Sequence, residues 1–368
     1  MIGNYHEMNG WGYQLLNHIL ALDTTGVTVI PRRLNITNAV NPDLPERLKE
    51  LEANNDSNPD VVIQNVLPHM LEYSGRIGRN ICYYVCETTD FKASGWSSKI
   101  NLMDEAWVPC YFNKKASLDS GVQIPINVVH QAVNTSKFNQ TYDIHKVREI
   151  VRDDFIFYTI SEFTSRKNVE AIIKAFHLEF NLSEPVQLLI KTTPVGLGDN
   201  PMQAVTNKIE KVKRGLRIYP DPHSFKREFT VCGFANDAEV NSIHQSCDCF
   251  VSASHGEAWC QPAIDALGFG KVVIAPNWGG FTEYLTEKNS YVVGGSEDHT
   301  FENYDSLPSL YTGREKYFNI SVSKLRQAMR DAYEKRDLNK KKIEQGKKDV
   351  QKFSYVEIGK KMKGLLEK

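Results

Sequence analysis

Long apolar runs are missing from this 368-residue sequence. No stretch approaches the roughly 18 residues needed to cross a bilayer, and the start, Met1-Ile2-Gly3-Asn4, lacks the charged-then-apolar order of a secretion signal. A soluble, cytoplasmic protein is therefore expected, for which membrane contact would be peripheral. A charge surplus is missing too: 44 Lys and Arg oppose 45 Asp and Glu, for a formal net charge of −1. That balance implies neither nucleic acid nor an anionic membrane as partner. A disulfide framework is also absent, because the seven cysteines (Cys82, Cys86, Cys110, Cys232, Cys247, Cys249 and Cys260) are odd in number and scattered, mostly inside apolar runs. Free thiols behave there as small hydrophobes, which fits a reducing compartment. Cys247 and Cys249 would share a strand face, but no second Cys or His pair at zinc-like spacing accompanies them, so no metal site is expected. The opening strand is scant as well: Met1-Ile2 stands where an α/β domain commonly begins with about five or six apolar residues.

What the sequence does have is alternation. Hydrophobic residues make up 41% of it, enough for packed cores, and the length suits two domains of ordinary size. Apolar runs at 27–30, 60–64, 80–86, 106–109 and 126–129 read as strands, with helices between them. A second series follows at 155–160, 186–190 and 229–232, with helical periods at 169–180 and 237–245. Strand and helix alternating at this spacing predict doubly wound parallel sheets. Helices are expected over 324–335, over the Lys-rich run 340–352, which reads as a solvated face, and from Phe353 to Leu366. Gly10-Trp11-Gly12 followed by Leu15, Leu16, Ile19 and Leu20 reads as a glycine loop feeding an amphipathic helix. Arg32-Arg33 are expected at the carboxyl end of a strand, the side on which α/β sheets bind ligands, and a solvated turn would account for them equally.

One stretch organises the rest: Val251 to Glu283, VSASHGEAWCQPAIDALGFGKVVIAPNWGGFTE. The run Cys249-Phe250-Val251 leads into a loop, and Pro262 suits the first position of a helix because its missing N–H would be unpaired there. The free amides of Ala258, Trp259, Cys260 and Gln261 should then gather at a helix N-terminus, which attracts anions. Glu257 and Asp265 bracket that loop, and a second strand ends in Asn277-Trp278-Gly279-Gly280. A phosphate flanked by hydroxyl groups would fit, and so would an ordinary strand–loop–helix unit.

This stretch resembles the signature of the retaining glycosyltransferases of family 4 (glycosyl transferases group 1). In that signature an acid, seven residues and a second acid precede a small-residue helix and a strand ending in Gly-Gly-x-x-Glu. Here those elements are Glu257, Asp265, Gly279-Gly280 and Glu283. The second acid is Asp in place of the usual Glu, and Ala258-Trp259-Cys260 replaces Gly-aromatic-Gly. Arg166-Lys167 matches the family's phosphate-binding position, while Glu162 stands where the family has Arg. The resemblance implies the GT-B fold: two Rossmann-like α/β domains facing across a cleft, with a C-terminal helix returning to the first. Residues 1–142 plus 353–368 would form the acceptor-side domain and 143–352 the donor domain.

By that resemblance, Glu257 would hold the transferred sugar and Asp265 the ribose. Lys167 and Arg166 would take the diphosphate, together with Gly10, Trp11, Gly12, Ala258, Trp259, Cys260, Gln261, Gly279 and Gly280. Backbone around Gly233 and Phe234 would read the base. His69, Glu87 and Asp90 at strand ends are acceptor-side candidates. The implied co-substrate is a nucleotide-sugar (a UDP- or GDP-sugar), with no prosthetic group and no metal requirement. The implied acceptor is a hydroxyl of a glycan, lipid-linked or protein acceptor. An epimerase or phosphorylase on the same fold, or a non-catalytic nucleotide-sugar-binding protein, is the alternative reading.

Overall fold

The structure, a computed structural model, describes residues 1–37, 40–55, 58–221, 224–301 and 310–368. The first sheet is built from β1 (Ile2–Gly3), β2 (Arg32–Arg33), β3 (Val61–Asn65), β4 (Arg79–Tyr83), β5 (Glu105–Val108) and β6 (Ile126–Val128). All its pairings are parallel, in the order β2-β1-β3-β4-β5-β6. The second sheet holds β7 (Phe155–Ile160), β8 (Val186–Thr192), β9 (Phe229–Cys232), β10 (Cys249–Val251), β11 (Val272–Pro276) and β12 (Tyr291–Val293). It is parallel as well, ordered β12-β11-β10-β7-β8-β9. Strands covered on both faces should be apolar throughout, and β10 and β11 are buried along their whole length. These are the doubly wound parallel sheets that the alternation predicts, arranged as the two-domain α/β GT-B fold that the resemblance implies.

The short first strand exists. Although it has only two residues, β1 lies centrally between β2 and β3, and the chain then turns into α1 (Gly10–Asp23). Asn9 caps that helix, its Oδ1 accepting from the Gly12 amide at 2.9 Å, and Leu15, Leu16, Ile19 and Leu22 face the core. The strand expected at 27–30 is not formed; Ile30 O accepts from the Met1 amino group at 2.8 Å, and ladder pairing begins only at Arg32, which shares a register with Ile2. Because β1 is so short, it offers partners only at that end.

From β12 the chain enters a ribbon that the sequence does not announce, β13 (Gly295–His299) antiparallel to β14 (Lys316–Ile320). β13 is polar and mostly exposed, whereas β14 turns Phe318 and Ile320 into the core of the second domain. The ribbon reaches the first domain: the Thr89 amide donates to Lys316 O at 2.9 Å, and Leu310 packs in the same apolar cluster as Tyr84 and Phe91. The helices Val322–Glu334 and Arg336–Val350 follow, and the helix Tyr355–Leu366 returns to pack on the first domain. A Cβ on Gly359 would lie 2.1 Å from Ala21 O, so glycine is what allows that helix to approach α1 this closely. The Tyr355 hydroxyl donates to Asn17 Oδ1 at 2.7 Å, and Arg79 Nη1 donates to Leu365 O at 3.0 Å.

Candidate functional site in the interdomain cleft

The carboxyl ends of both sheets face one cleft of 1290 Å³. In the second sheet the strand order reverses between β7 and β10, the switch point where open α/β sheets leave room for a ligand. The loops after these two strands are tied together. His255 donates its amide to Arg166 O at 2.8 Å, Arg166 Nη1 donates to Gly256 O at 2.8 Å, and Asn168 Nδ2 donates to Ala253 O at 3.2 Å. The result brings Lys167 Nζ to 2.5 Å from Glu257 Oε1 and Arg166 to 3.7 Å from its other oxygen. Glu257 is only 7% exposed. Burial alone would raise its carboxyl, but Lys167 and Arg166 outweigh that and hold it below the usual carboxylate range.

The helix after this loop spans Gln261–Gly268, so Pro262 stands at its second position, one later than the sequence suggests. Its cap, Cys260, adopts a left-handed conformation with φ 73° and gives no side-chain cap. Among the described residues the backbone N–H groups of Ala258, Trp259 and Cys260 find no protein acceptor. These amides and the positive helix end therefore present an anion-binding surface. One turn on, Asp265 is paired with Lys137 at 2.8 Å and accepts from Gln261 Nε2 at 2.9 Å. Burial raises its carboxyl even though Lys137 pulls the other way.

The glycine pair acts from beneath. Gly280 donates its amide to Glu257 O at 2.8 Å, and a Cβ there would fall 2.0 Å from Ala258 O. Gly279 has φ +62°, and its Cβ would sit 2.7 Å from Glu257 O. Neither lines the cleft; they let the 276–280 turn support the Glu257 loop. Gly280→Ala is expected to cost about 1–3 kcal/mol through overpacking against backbone. Turnover should fall too, although the new methyl lies outside the cleft; a Tm and rate equal to wild type would show that the loop is not held from below.

Of the residues singled out from sequence, Glu257, Lys167, Arg166, Gly10, Trp11, Phe234, Ala258, Trp259, Cys260, Gln261, Asp265 and Glu87 line the cleft. Gly12, Gly233, Gly279, Gly280, His69 and Asp90 do not. Each departure has a reason. A Cβ on Gly12 would meet Glu7 O at 2.2 Å, so that glycine serves the packing of the loop on itself. Gly233 O accepts from Lys191 Nζ at 2.6 Å. His69 sits exposed on the turn Pro68–Met70. At Asp90 the ribbon intervenes, since Thr89 is bonded to Lys316. Arg32 and Arg33 also lie outside the lining, and the Arg32 guanidinium donates to Pro31 O and Asn54 O.

Glu87 does reach the cleft, 3.7 Å from Arg166 and accepting from the Tyr311 hydroxyl at 3.0 Å. Tyr311, Lys137, Lys191, Asn4 and Glu7 are participants that sequence reasoning missed. Asn4 follows a strand too short to stand out, Lys191 lies at the end of a strand that the sequence does show, and the others are brought in by the ribbon, the linking segment and long-range pairing.

Five buried side-chain polar atoms among the described residues lack a hydrogen-bond partner: Asn4 Oδ1, Ser161 Oγ, Thr193 Oγ1, His244 Nε2 and Trp259 Nε1. All but His244 belong to residues lining this cleft. Among the described residues no group of three or more His, Cys, Asp or Glu is placed to hold a metal ion, and no helix is long and apolar enough to cross a membrane.

Comparison with known proteins agrees with this geometry. Residues 141–304 match the family model described as glycosyl transferases group 1. No curated protein matches the sequence. Among solved structures, HepE of Anabaena in complex with UDP-glucose superposes with a TM-score of 0.69 at 13% identity, covering 100% of this chain and 98% of that one. A glycosyltransferase from Rickettsia africae ESF-5 gives 0.66 at 16% identity over 97% and 95% of the two chains. Sucrose-phosphate synthase from Thermosynechococcus elongatus gives 0.65 at 13% identity over 100% and 98%. At these identities the likeness establishes the shared GT-B fold.

Proposed function

We propose that this chain, whose residues 141–304 match the family model described as glycosyl transferases group 1, is a glycosyltransferase that moves a hexose from a nucleotide-sugar to a hydroxyl acceptor with retention at the anomeric carbon. The observation that carries the donor assignment is the meeting of Lys167, Arg166 and the unpaired amides of 258–260 with Glu257 in one cleft. In this reading Lys167 and Arg166 hold the diphosphate, Glu257 the sugar hydroxyls and Asp265 the ribose, with Phe234 beside the base. Charge developing on the leaving diphosphate is met by fixed cations and amides, without a metal. The bond from the anomeric carbon to the phosphate oxygen breaks as the acceptor oxygen bonds the same face, and the hydroxyl proton leaves with the diphosphate. Glu257, already engaged by two cations, acts as a positioning carboxylate and not as a nucleophile. Residues 1–142 with 353–368 would be the acceptor-side unit and 143–352 the donor unit, in a soluble cytoplasmic enzyme.

The donor is expected to be a UDP- or GDP-sugar. Titrating UDP, GDP, ADP and their sugars while following Tm should single out one base, with stabilisation of about 2.7 kcal/mol at a hundredfold excess over Kd. The protein should then hydrolyse that donor slowly and transfer its labelled sugar. Tight donor binding with neither hydrolysis nor transfer would leave a binding protein; donor isomerised without acceptor would mean an epimerase.

A further inference from the structure

The acid assigned to the ribose is already engaged. Asp265 is one methylene shorter than the Glu of the resembling signature, and each of its oxygens holds a donor, Lys137 Nζ at 2.8 Å on Oδ2 and Gln261 Nε2 at 2.9 Å on Oδ1. Its side chain is 6% exposed, whereas that of Lys137 is 18% exposed, and both residues line the cleft. What this corner presents to a ligand is therefore mainly the lysine.

Lys137 is held there by packing as well as by charge. It sits on the short turn Thr135–Asn139 in the segment that joins the two domains. The next side chain, Phe138, docks on the helix that carries Asp265: a Cβ on Gly268 would fall 2.2 Å from the Phe138 ring, so glycine makes room for it, and the ring meets Phe269 edge-on at 5.1 Å. The Tyr142 hydroxyl donates to Lys137 O at 3.3 Å. Among the described residues no acceptor other than Asp265 meets the ammonium, which has three N–H groups. A hydroxyl oxygen can accept one of those left over. We propose, resting on the donor reading above, that Lys137 is a donor-site residue: its ammonium donates to a hydroxyl oxygen of the nucleotide's ribose, and Asp265 acts on the ribose by holding that ammonium in place. The lysine supplies the reach that the shorter acid lacks. A phosphate oxygen would accept the same N–H, and the two contacts are separated by removing the hydroxyls.

The test is calorimetric titration of the full-length protein with UDP, GDP and ADP, and then with the 2′,3′-dideoxy form of whichever binds. If none of the three binds, the donor reading fails and this proposal falls with it; if one binds, the remaining outcomes judge Lys137 alone. Wild type should bind the ribonucleotide about tenfold more tightly than the dideoxy form. Lys137→Met keeps the length of the side chain and removes its donors, so it should weaken the ribonucleotide by about tenfold while changing the dideoxy form by less than about threefold. Because that variant leaves Asp265 without its cation, the same titrations are made on Lys137→Met combined with Asp265→Asn, which carries neither charge and should show the same loss of preference. Equal affinity of wild type for the two forms, or a tenfold preference that survives in the variants, overturns the proposal. A surviving preference with both forms weakened alike would place the ammonium on a phosphate.

Discussion

Glu257→Gln is expected to lower transfer by about 10²–10³-fold while affinity for the free nucleoside diphosphate stays level or rises. The carboxylate faces Lys167 at 2.5 Å and Arg166 at 3.7 Å, so without donor it is itself the anion those cations hold. A diphosphate entering the cleft competes with it for them. The neutral amide of Gln competes less, leaving more positive potential for the diphosphate. What is lost is the charged acceptor for sugar hydroxyls and the fixed geometry that two cations impose on it. Steady-state kinetics together with calorimetric titration of the diphosphate would separate the two effects. A drop in nucleotide affinity of more than about tenfold would mean that Glu257 sits at the nucleotide end and that the polarity of the site is reversed.

Much of this arrangement was legible because it is local. Glu257, Pro262 and Asp265 share one strand–loop–helix unit, and their relative placement follows from helix geometry once the helix start is known. Lys167 could be read because it stands in the turn between β7 and the helix Val169–Glu179, where the resemblance puts a phosphate-binding lysine. What escaped is set by pairing at long range. The polar strand 295–299 gives little sign in sequence that it pairs with 316–320, yet that ribbon bonds Thr89 through Lys316 and the chain leading into it supplies Tyr311 to Glu87, which separates Glu87 from Asp90, two residues that look equivalent in sequence. The glycines show the same limit. Gly279-Gly280 in sequence say that something approaches closely, and only the fold shows that it is the backbone of residues 257 and 258 rather than a ligand. Asn4 follows too short a strand to stand out, and its free oxygen is defined by what Glu7 takes from its other atom.

Lys167→Ala should be the most damaging substitution to donor use, and its signature should depend on pH. Turnover is expected to fall about 10²–10³-fold, with weaker binding of the diphosphate, because one of two side-chain cations aimed at it is gone. The stability effect follows from Glu257. Its carboxyl is held below the ordinary range, so the pair contributes stability above the unfolded-state value and loses it as pH falls through the folded-state value. Without Lys167, burial dominates and the carboxyl rises, leaving a poorly compensated charge near neutral pH. Breaking a buried pair costs about 3–5 kcal/mol, and the low end applies because the lysine side chain keeps some exposure. The deficit relative to wild type should therefore be largest near pH 7–8 and shrink as Glu257 protonates in the variant, and the acid limb of any residual activity should move to higher pH. Combining Lys167→Ala with Glu257→Gln removes both charges, so Tm should recover while transfer does not, a coupling of about 1–3 kcal/mol in a double-mutant cycle. A Tm deficit equal at pH 5 and pH 8, or strictly additive effects in the double variant, would mean that the ion pair adds nothing to the hydrogen bonds that tie the two loops together.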